Sequence, residues 1–330
     1  MNQKKAIQYL ITFAIGGAFL YFVFKDTKWN EIYNKIQHAN YFYIALGMFV
    51  SIISHYLRAV RAIYLYQPLG FTIQQKNSFY AVMVGYMMNY IIPRAGEVSR
   101  CAVLAKTNHM PIEKSLGTVV TERLVDLFLL ALILMVIVFG RFELLYDYIK
   151  QNIGGKSGTQ NINFVKPIIA LVLLGIAIFL WMSRKKLKGH PFFNRLVNIV
   201  KGFIEGLLSI KKVKSPLAFI ALSVGIWVCY ILMMYICLFS MESTSQLNFM
   251  DCLVVFAMGT IGIIIPAPGA GAGTYHFAIM TALTWFGVSK DDGIAYATIV
   301  HGVQMILLIV LGAIASVLVL AQQKKLVKHA

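Results

Sequence analysis

Two related strings decide the fold of this chain: IIPRAG at residues 91–96 and IIPAPG at residues 264–269. Each string interrupts a hydrophobic run, and proline and glycine both stop helices. Interrupted apolar segments at corresponding places in two halves of a chain are typical of transporters, in which the broken helices form the binding site. The strings therefore predict two helix breaks next to a functional site.

The composition places the chain in a lipid bilayer. Of its 330 residues, 59% are hydrophobic and only 13% are charged, which is far more apolar than a soluble domain of this length. A hydrocarbon core of roughly 30 Å requires apolar stretches of about 20 residues. We predict an all-α polytopic membrane protein with about six full spans, near residues 5–24, 40–65, 115–140, 166–183, 215–240 and 293–321.

The net charge of +17 reflects membrane topology rather than nucleic-acid binding, which we do not expect. The basic residues concentrate in the connection 184–214 and in the tail after residue 323. An excess of lysine and arginine marks cytoplasmic segments. We therefore predict a cytoplasmic-membrane protein with both termini in the cytoplasm and the loop 141–165 outside. Within the connection, the amphipathic stretch 191–210 is expected to lie along the inner interface.

This topology requires two re-entrant hairpins. The crossings agree with the charges only if segments 78–106 and 250–287 each enter and leave on one side of the membrane. The first hairpin would then enter from the inside and the second from the outside.

The halves of the chain correspond at an offset of 173 residues. This offset pairs the spans, and the two breaks, in opposite orientations, which predicts an inverted-topology repeat with the hairpins pointing toward each other. The first repeat lies in residues 1–183, although the span 166–183 belongs to the second repeat. The connection 184–214 follows, and the second repeat continues through residues 215–330.

The residues of the two breaks can have structural roles in backbone hydrogen bonding and helix packing as well as functional ones. We expect Asn89 to bond backbone carbonyls freed by the first break. The glycines permit unusual backbone angles and close helix packing. His276 and His301 lie beyond the second break, where they either pack or take part in coupling. The break residues are Asn89, Pro93, Gly96, Pro266, Pro268, Gly269, Gly271 and Gly273.

Charged residues near the first break form the candidate binding site, since charges inside a membrane are usually paired or functional. There are two triplets of charged residues, one at 94, 97 and 100 and one at 122, 123 and 126. They are expected at similar depths in the membrane and can therefore meet, and their charges sum to zero. Either they fasten the hairpin to its neighbour, or some members, foremost Arg94, bind an anionic head group beside the helix that starts after Gly96. The candidate residues are Arg94, Glu97, Arg100, Glu122, Arg123, Asp126, His276 and His301.

Metal and cofactor sites are not expected. The cysteines are scattered through apolar segments without a Cys-x-x-Cys pair, so neither a zinc site nor a disulfide framework is indicated. The cysteines are Cys101, Cys229, Cys237 and Cys252.

The strings NYIIPRAGEVSR (89–100), ERLVD (122–126) and PAPG (266–269) resemble the lysylphosphatidylglycerol synthase transmembrane (flippase-like) family. The resemblance implies a bacterial cytoplasmic-membrane protein related to the domain that moves aminoacylated phospholipids between leaflets. On matching positions it points to Arg94, Gly96, Glu97, Arg100, Glu122, Arg123 and Asp126.

This chain departs from the family pattern at two histidines. His276 stands where the family often has a glutamate, and His301 where an arginine is common, so the substrate or its coupling can differ. The synthase also needs a soluble aminoacyl-transfer domain. No stretch of this chain is expected to form one, so we do not expect lipid aminoacylation from it.

Three functions remain open from the sequence. The leading one is a translocator of lipids with anionic or phosphate-bearing head groups. The second is a membrane enzyme that uses Glu97, Glu122 or Asp126 as an acid or base. The third is a scaffold that transports nothing, and association of several copies of the chain is open in each case.

The predicted topology can be tested by cysteine labelling. A cysteine introduced at Ser157 should react with a membrane-impermeant reagent from outside intact cells, whereas one at Lys186 should not. The opposite labelling would reverse the orientation and the direction of both hairpins.

Overall fold

The computed structural model describes residues 17–25, 28–140, 213–265 and 267–328, which form helices joined by short turns. Residues 17–24 are helical, and a single 3-10 turn, Gln67–Leu69, follows the first long helix. The other helices are α1 (Trp29–Gln37), α2 (Tyr41–Tyr66), α3 (Gln75–Ile91), α4 (Gly96–Asn108), α5 (Ile112–Gly140), α6 (Pro216–Leu238), α7 (Glu242–Ser245), α8 (Phe249–Ile264), α9 (Thr274–Thr284) and α10 (Lys290–Lys328).

Four of these helices, α2, α5, α6 and α10, are long and apolar enough to cross a membrane. They coincide with the predicted spans 40–65, 115–140, 215–240 and 293–321. A helix satisfies its backbone hydrogen bonds internally, as hydrocarbon surroundings require. The predicted class, an all-helical membrane protein, is confirmed.

The helices α3 and α4 form a hairpin that is broken around Pro93. At 1.5 Å per residue they are about 25 and 20 Å long, too short to cross a core of roughly 30 Å. Their arms approach closely, since a Cβ on Gly85 would lie 2.9 Å from the carbonyl oxygen of Gly96. Asn89 Oδ1 accepts a hydrogen bond from the Gly96 N–H at 2.8 Å. Asn89 thus satisfies a backbone donor, not the carbonyls that we expected it to bond.

The helices α8 and α9 form a second broken hairpin, with the short turn Pro268–Gly271 between them. Gly269, Gly271 and Gly273 have φ values of 62°, 93° and 84°, which glycine adopts without steric cost. The Thr274 hydroxyl donates a hydrogen bond to the Gly262 carbonyl at 2.6 Å. Each hairpin is therefore closed by one bond between a side chain and the backbone across its break.

The two hairpins lie along opposite ends of α10. Gly293, near its start, packs against Met280 of α9, and Gly312 packs against Met83 of α3. These two glycines are about 28 Å apart along the helix axis. The hairpins therefore lie beside regions of α10 that are separated by nearly the thickness of a bilayer core.

The tips of the hairpins meet at His301, about midway between these two glycines. The His301 ring lies 6.1 Å from the ring of Tyr90, which is the penultimate residue of α3. It also stacks at 5.0 Å on Tyr275, the second residue of α9. Both helix breaks are thus brought to one level of α10.

The helices α2 and α6 pack antiparallel. The N–H of Asn40, the residue before α2, donates to the Ser240 carbonyl just beyond α6, whereas Arg61 near the other end of α2 donates to Ser223. These are the spans that the 173-residue offset pairs, and their axes run in opposite directions. The inverted repeat as a whole, with its boundaries at residues 183 and 215, stays a prediction.

Several predicted features lie outside the described residues. They are the span 166–183, most of the span 5–24, the loop 141–165, the connection 184–214 up to residue 212 with its amphipathic stretch 191–210, and Pro266.

The close approach of the first hairpin can be tested with Gly96→Ala. The added methyl group would lie 2.6 Å from the Asn89 side chain, so we expect a loss of about 1–3 kcal/mol and a lower midpoint of thermal unfolding. Gly117→Ala is the control, because no atom lies within 4 Å of its Cβ position on α5. Equal stability of the two variants would contradict the close packing.

Candidate functional site

A polar stripe runs along α2 and faces the centre of the protein. Its members recur at helical spacing, so they share one face of the helix. All are buried: Ser51, Ser54, His55, Arg58 and Arg61. The sequence reasoning missed Arg58 and Arg61 because it considered charges only after the first break. Their spacing within an apolar span was the signal that could have found them.

Arg61 is the fully buried centre of the site. Its guanidinium group binds Asp126 of α5 with both terminal nitrogens, at 2.7 and 3.3 Å. It also lies 3.5 Å from Glu122, one turn earlier on α5. This fork-on-fork geometry is the strongest arrangement for an arginine and a carboxylate. It fixes α2 against α5.

Arg100 of α4 makes a second buried pair with Glu122. Two hydrogen bonds of 2.9 and 2.7 Å join them, and Arg100 also donates to the Tyr66 hydroxyl at 2.7 Å. Glu122 is only 1% exposed. Its carboxylate is shared between arginines from two helices, α2 and α4. The outgoing arm of the first hairpin is fixed to α2 and α5 in this way.

Arg123 and Glu97 form the second contact between α4 and α5. Arg123 Nε donates to Glu97 at 2.6 Å, and more than two fifths of each side chain is exposed. Arg123 also lies 3.8 Å from Asp126. This pair therefore lies at the edge of the buried network.

We call these seven residues the arginine–carboxylate cluster: Arg58, Arg61, Arg100, Arg123, Glu97, Glu122 and Asp126. Four arginines face three carboxylates, which leaves an excess of one positive charge. The neutral sum that we expected is wrong for the described residues, because two arginines of α2 join and Arg94 does not. Burial of excess charge is costly, so the cluster is suited to an anion.

Arg94 is placed apart from the cluster. It precedes α4 instead of sharing a side of that helix with Glu97 and Arg100, and its φ of 64° is unusual for a residue with a side chain. It is exposed, and it makes no ion pair within the part of the chain that the structure describes.

A cavity of about 490 Å³ lies beside the cluster. Its polar end is formed by Arg58, Arg123 and Asp126, and the remainder is largely apolar and aromatic. Both hairpins contribute to its wall. Its lining also includes His55, Leu127, Tyr230, Ile263, Ile264, Tyr275 and Gln304.

Arg58 and Arg123 have donors to offer in this cavity. Arg58 uses Nε for the Tyr230 hydroxyl at 3.1 Å and Nη2 for Asp126 at 3.2 Å. Arg123 uses Nε for Glu97. No described residue accepts a hydrogen bond from Arg58 Nη1 or Arg123 Nη2. Both side chains also line a smaller recess of about 30 Å³ beside the first break.

The cavity has apolar side chains at its edge. Leu127 of α5, and Ile263 and Ile264 of α8, line it and are also exposed on the surface of the described residues. Farther along the same helices the gap closes, because the Met250 side chain lies against Gly140. The cavity thus combines cationic donors with an apolar rim, which suits a molecule with an anionic head and hydrocarbon chains.

Comparison with known proteins agrees with these features. A family described as "Lysylphosphatidylglycerol synthase TM region" matches residues 9–312, which is most of the chain. The chain belongs to this family.

One relative of this chain is a UPF0104 membrane protein of Methanocaldococcus jannaschii. It is 27% identical over 126 residues, which are 37% of this chain and 36% of that protein. The alignment thus covers little more than a third of the relative. No solved structure matches the chain.

This family member brings its two unusual histidines together. The rings of His276 and His301 lie 5.4 Å apart, edge to face, and both residues are buried. Neither histidine lines the cavity, but Tyr275, next to His276, and Gln304, about one turn beyond His301, do. The predicted site residues therefore form two groups, the cluster and the histidine pair, with Arg94 separate.

Metal-ligand residues do not gather at either group. In the described residues, no three histidine, cysteine, aspartate or glutamate side chains are close enough to hold a metal ion.

The buried pairs should matter far more for stability than the exposed one. Glu122→Gln leaves Arg61 and Arg100 without full compensation, so we expect a loss of about 3–5 kcal/mol in unfolding free energy. Glu97→Gln removes a half-exposed partner and should cost about 1 kcal/mol or less. Chemical denaturation in detergent measures both. Similar losses for the two variants would contradict the burial of the cluster.

Proposed function

We propose that this membrane protein is a translocator of lipids with anionic, phosphate-bearing head groups. The observation that carries the proposal is the excess positive charge of the cluster at the wall of an otherwise apolar cavity. In low dielectric, an anion that binds there compensates this charge. A phosphate group is the fitting anion because arginine presents a planar fork to it.

The head group is bound by Arg58 and Arg123. Both approach the same oxygen of Asp126, at 3.2 and 3.8 Å, so their guanidinium groups are neighbours. Each keeps a terminal nitrogen for a ligand. Arg61 and Arg100 are occupied by carboxylates and position Glu122 and Asp126 instead.

The hydrocarbon chains of the lipid remain in the apolar surroundings. Leu127, Ile263 and Ile264 form an edge over which chains can extend into the bilayer while the head lies inside. Burial of the head alone avoids the large cost of drawing a charged group through hydrocarbon. Hairpins that meet from two sides would let the head pass from one leaflet to the other.

Arg94 keeps a place in this proposal as a second contact. It is exposed at the tip of the first hairpin and is free of ion pairs among the described residues. A head group that leaves the Arg58–Arg123 pair can meet it next. The cytoplasmic membrane and cytoplasmic termini, predicted from the charges, complete the proposal.

Lipid movement in reconstituted vesicles tests the proposal. Fluorescent phosphatidylglycerol should change leaflets faster with the protein, and Arg123→Gln should slow this at least about tenfold, since a charged hydrogen bond contributes about 1.5–3 kcal/mol. Glu97→Gln should have the opposite effect because it frees Arg123. Lys76→Gln, which removes an exposed charge at the start of α3, is the control.

Several outcomes would oppose this function. Equal rates for Arg123→Gln and Lys76→Gln would remove the arginine pair from the mechanism, and a loss only in Arg94→Gln would move the site to the hairpin tip. No movement of any lipid in a panel that includes polyprenyl phosphates would refute transport. Chemically altered lipids after incubation would instead support the membrane enzyme.

A further inference from the structure

The histidine pair His276–His301 lies where the two halves of the protein touch. His301 of α10 contacts Tyr90 of the first hairpin and Tyr275 of the second. The backbone of Ala270, in the turn of the second hairpin, also lies close to His301. Any change in this pair therefore acts on both hairpin tips.

The pair has unused hydrogen-bonding capacity. His276 Nδ1 and His301 Nε2 are buried, and neither has a hydrogen-bond partner among the described residues. A neutral imidazole has one donor and one acceptor nitrogen, and a buried polar atom without a partner is unfavourable. A proton placed between these two nitrogens would let one ring donate a hydrogen bond and the other ring accept it.

Among the described residues, the surroundings of the pair hold no fixed counter-charge for a proton. Among the described residues, no carboxylate acts on either ring, and two protonated rings at this distance would repel each other. His55, which lines the cavity itself, lies on α2 about one turn before Arg58. The titratable groups around the pair are Tyr90 from α3, Tyr275 from α9, Cys237 from α6 beside Tyr275, and Lys25, next to the Phe24 ring that packs on His276.

An anion in the cavity would supply the missing counter-charge. Tyr275 lines the cavity beside His276, and Gln304 lines it one turn beyond His301. In a low-dielectric site the attraction between a protonated pair and a bound phosphate is strong. Binding of the anion must then favour the proton, and the proton must favour the anion to the same extent.

We propose that His276 and His301 together bind one proton, and that this proton is taken up when an anionic lipid head enters the cavity. The inference rests on the proposed function, because it is the lipid head that brings negative charge into the cavity. The rings now stand edge to face at 83°, so sharing a proton requires one ring to turn. That turn changes the contacts with Tyr90 and Tyr275 and thereby links proton binding to the hairpin tips.

Calorimetry on the full chain in nanodiscs of zwitterionic lipid tests the coupling. Short-chain phosphatidylglycerol is the probe, and titrations in buffers of different ionisation enthalpy give the number of protons taken up. The wild-type protein should take up as much as one proton, and its affinity should fall on the order of 5–150-fold between acidic and alkaline pH. The double variant His276→Gln/His301→Gln should bind without proton uptake or this pH dependence.

The controls separate this inference from the proposed function. His38→Gln, at an exposed position after α1, should keep the wild-type proton uptake. Uptake that persists in the double variant, or is absent from the wild type, would overturn the inference while lipid binding stands.

A second measurement decides the case in which the probe does not bind at all. That result would refute the proposed head-group site. The carbon resonances of labelled His276 and His301 in the ligand-free protein would still show one shared titration step if the pair binds a proton. Separate titration of the two rings, or no titration of either ring before the protein unfolds in acid, would refute the proton site.

Discussion

The buried pairing of arginines with Glu122 and Asp126 is the interaction on which the rest of the structure depends. Two carboxylates on consecutive turns of α5 bind arginines from α2 and α4, so three helices are joined at one point. A charge inside a membrane is costly unless it is paired, and removal of one partner leaves the others uncompensated. The cluster therefore fixes the first hairpin in place and also determines where positive charge remains for a ligand.

The hairpins bring the second constraint, which is close backbone approach. Gly85 and Gly96 leave no room for a methyl group between α3 and α4, and Gly262 does the same between α8 and α9. These contacts let short helices reach the middle of the protein and stop there. As a result the cavity has walls from both halves, with arginines in its lining and with the histidine pair next to its lining residue Tyr275.

Much of the fold could be predicted from the sequence because its signals are local. Apolar length gave the four described spans, and proline with glycine indicated the breaks within a few residues of the observed helix ends. The site was predicted less completely. Arg58 and Arg61 lie in a span that was treated only as an apolar segment, and their partnership with Asp126 depends on how α2 packs against α5. The contact of His276 with His301 is equally a tertiary feature, since 24 residues and a helix end separate them along the chain.

The central claim is that Arg58 and Arg123 bind the phosphate of a lipid. It is tested most directly by an experimental structure of the protein in nanodiscs that contain phosphatidylglycerol. The account predicts phosphate density within hydrogen-bonding distance of both guanidinium groups, with chain density beside Leu127 and Ile263. Phosphate density at Arg94 alone, or a cavity that contains only water under saturating lipid, would contradict it.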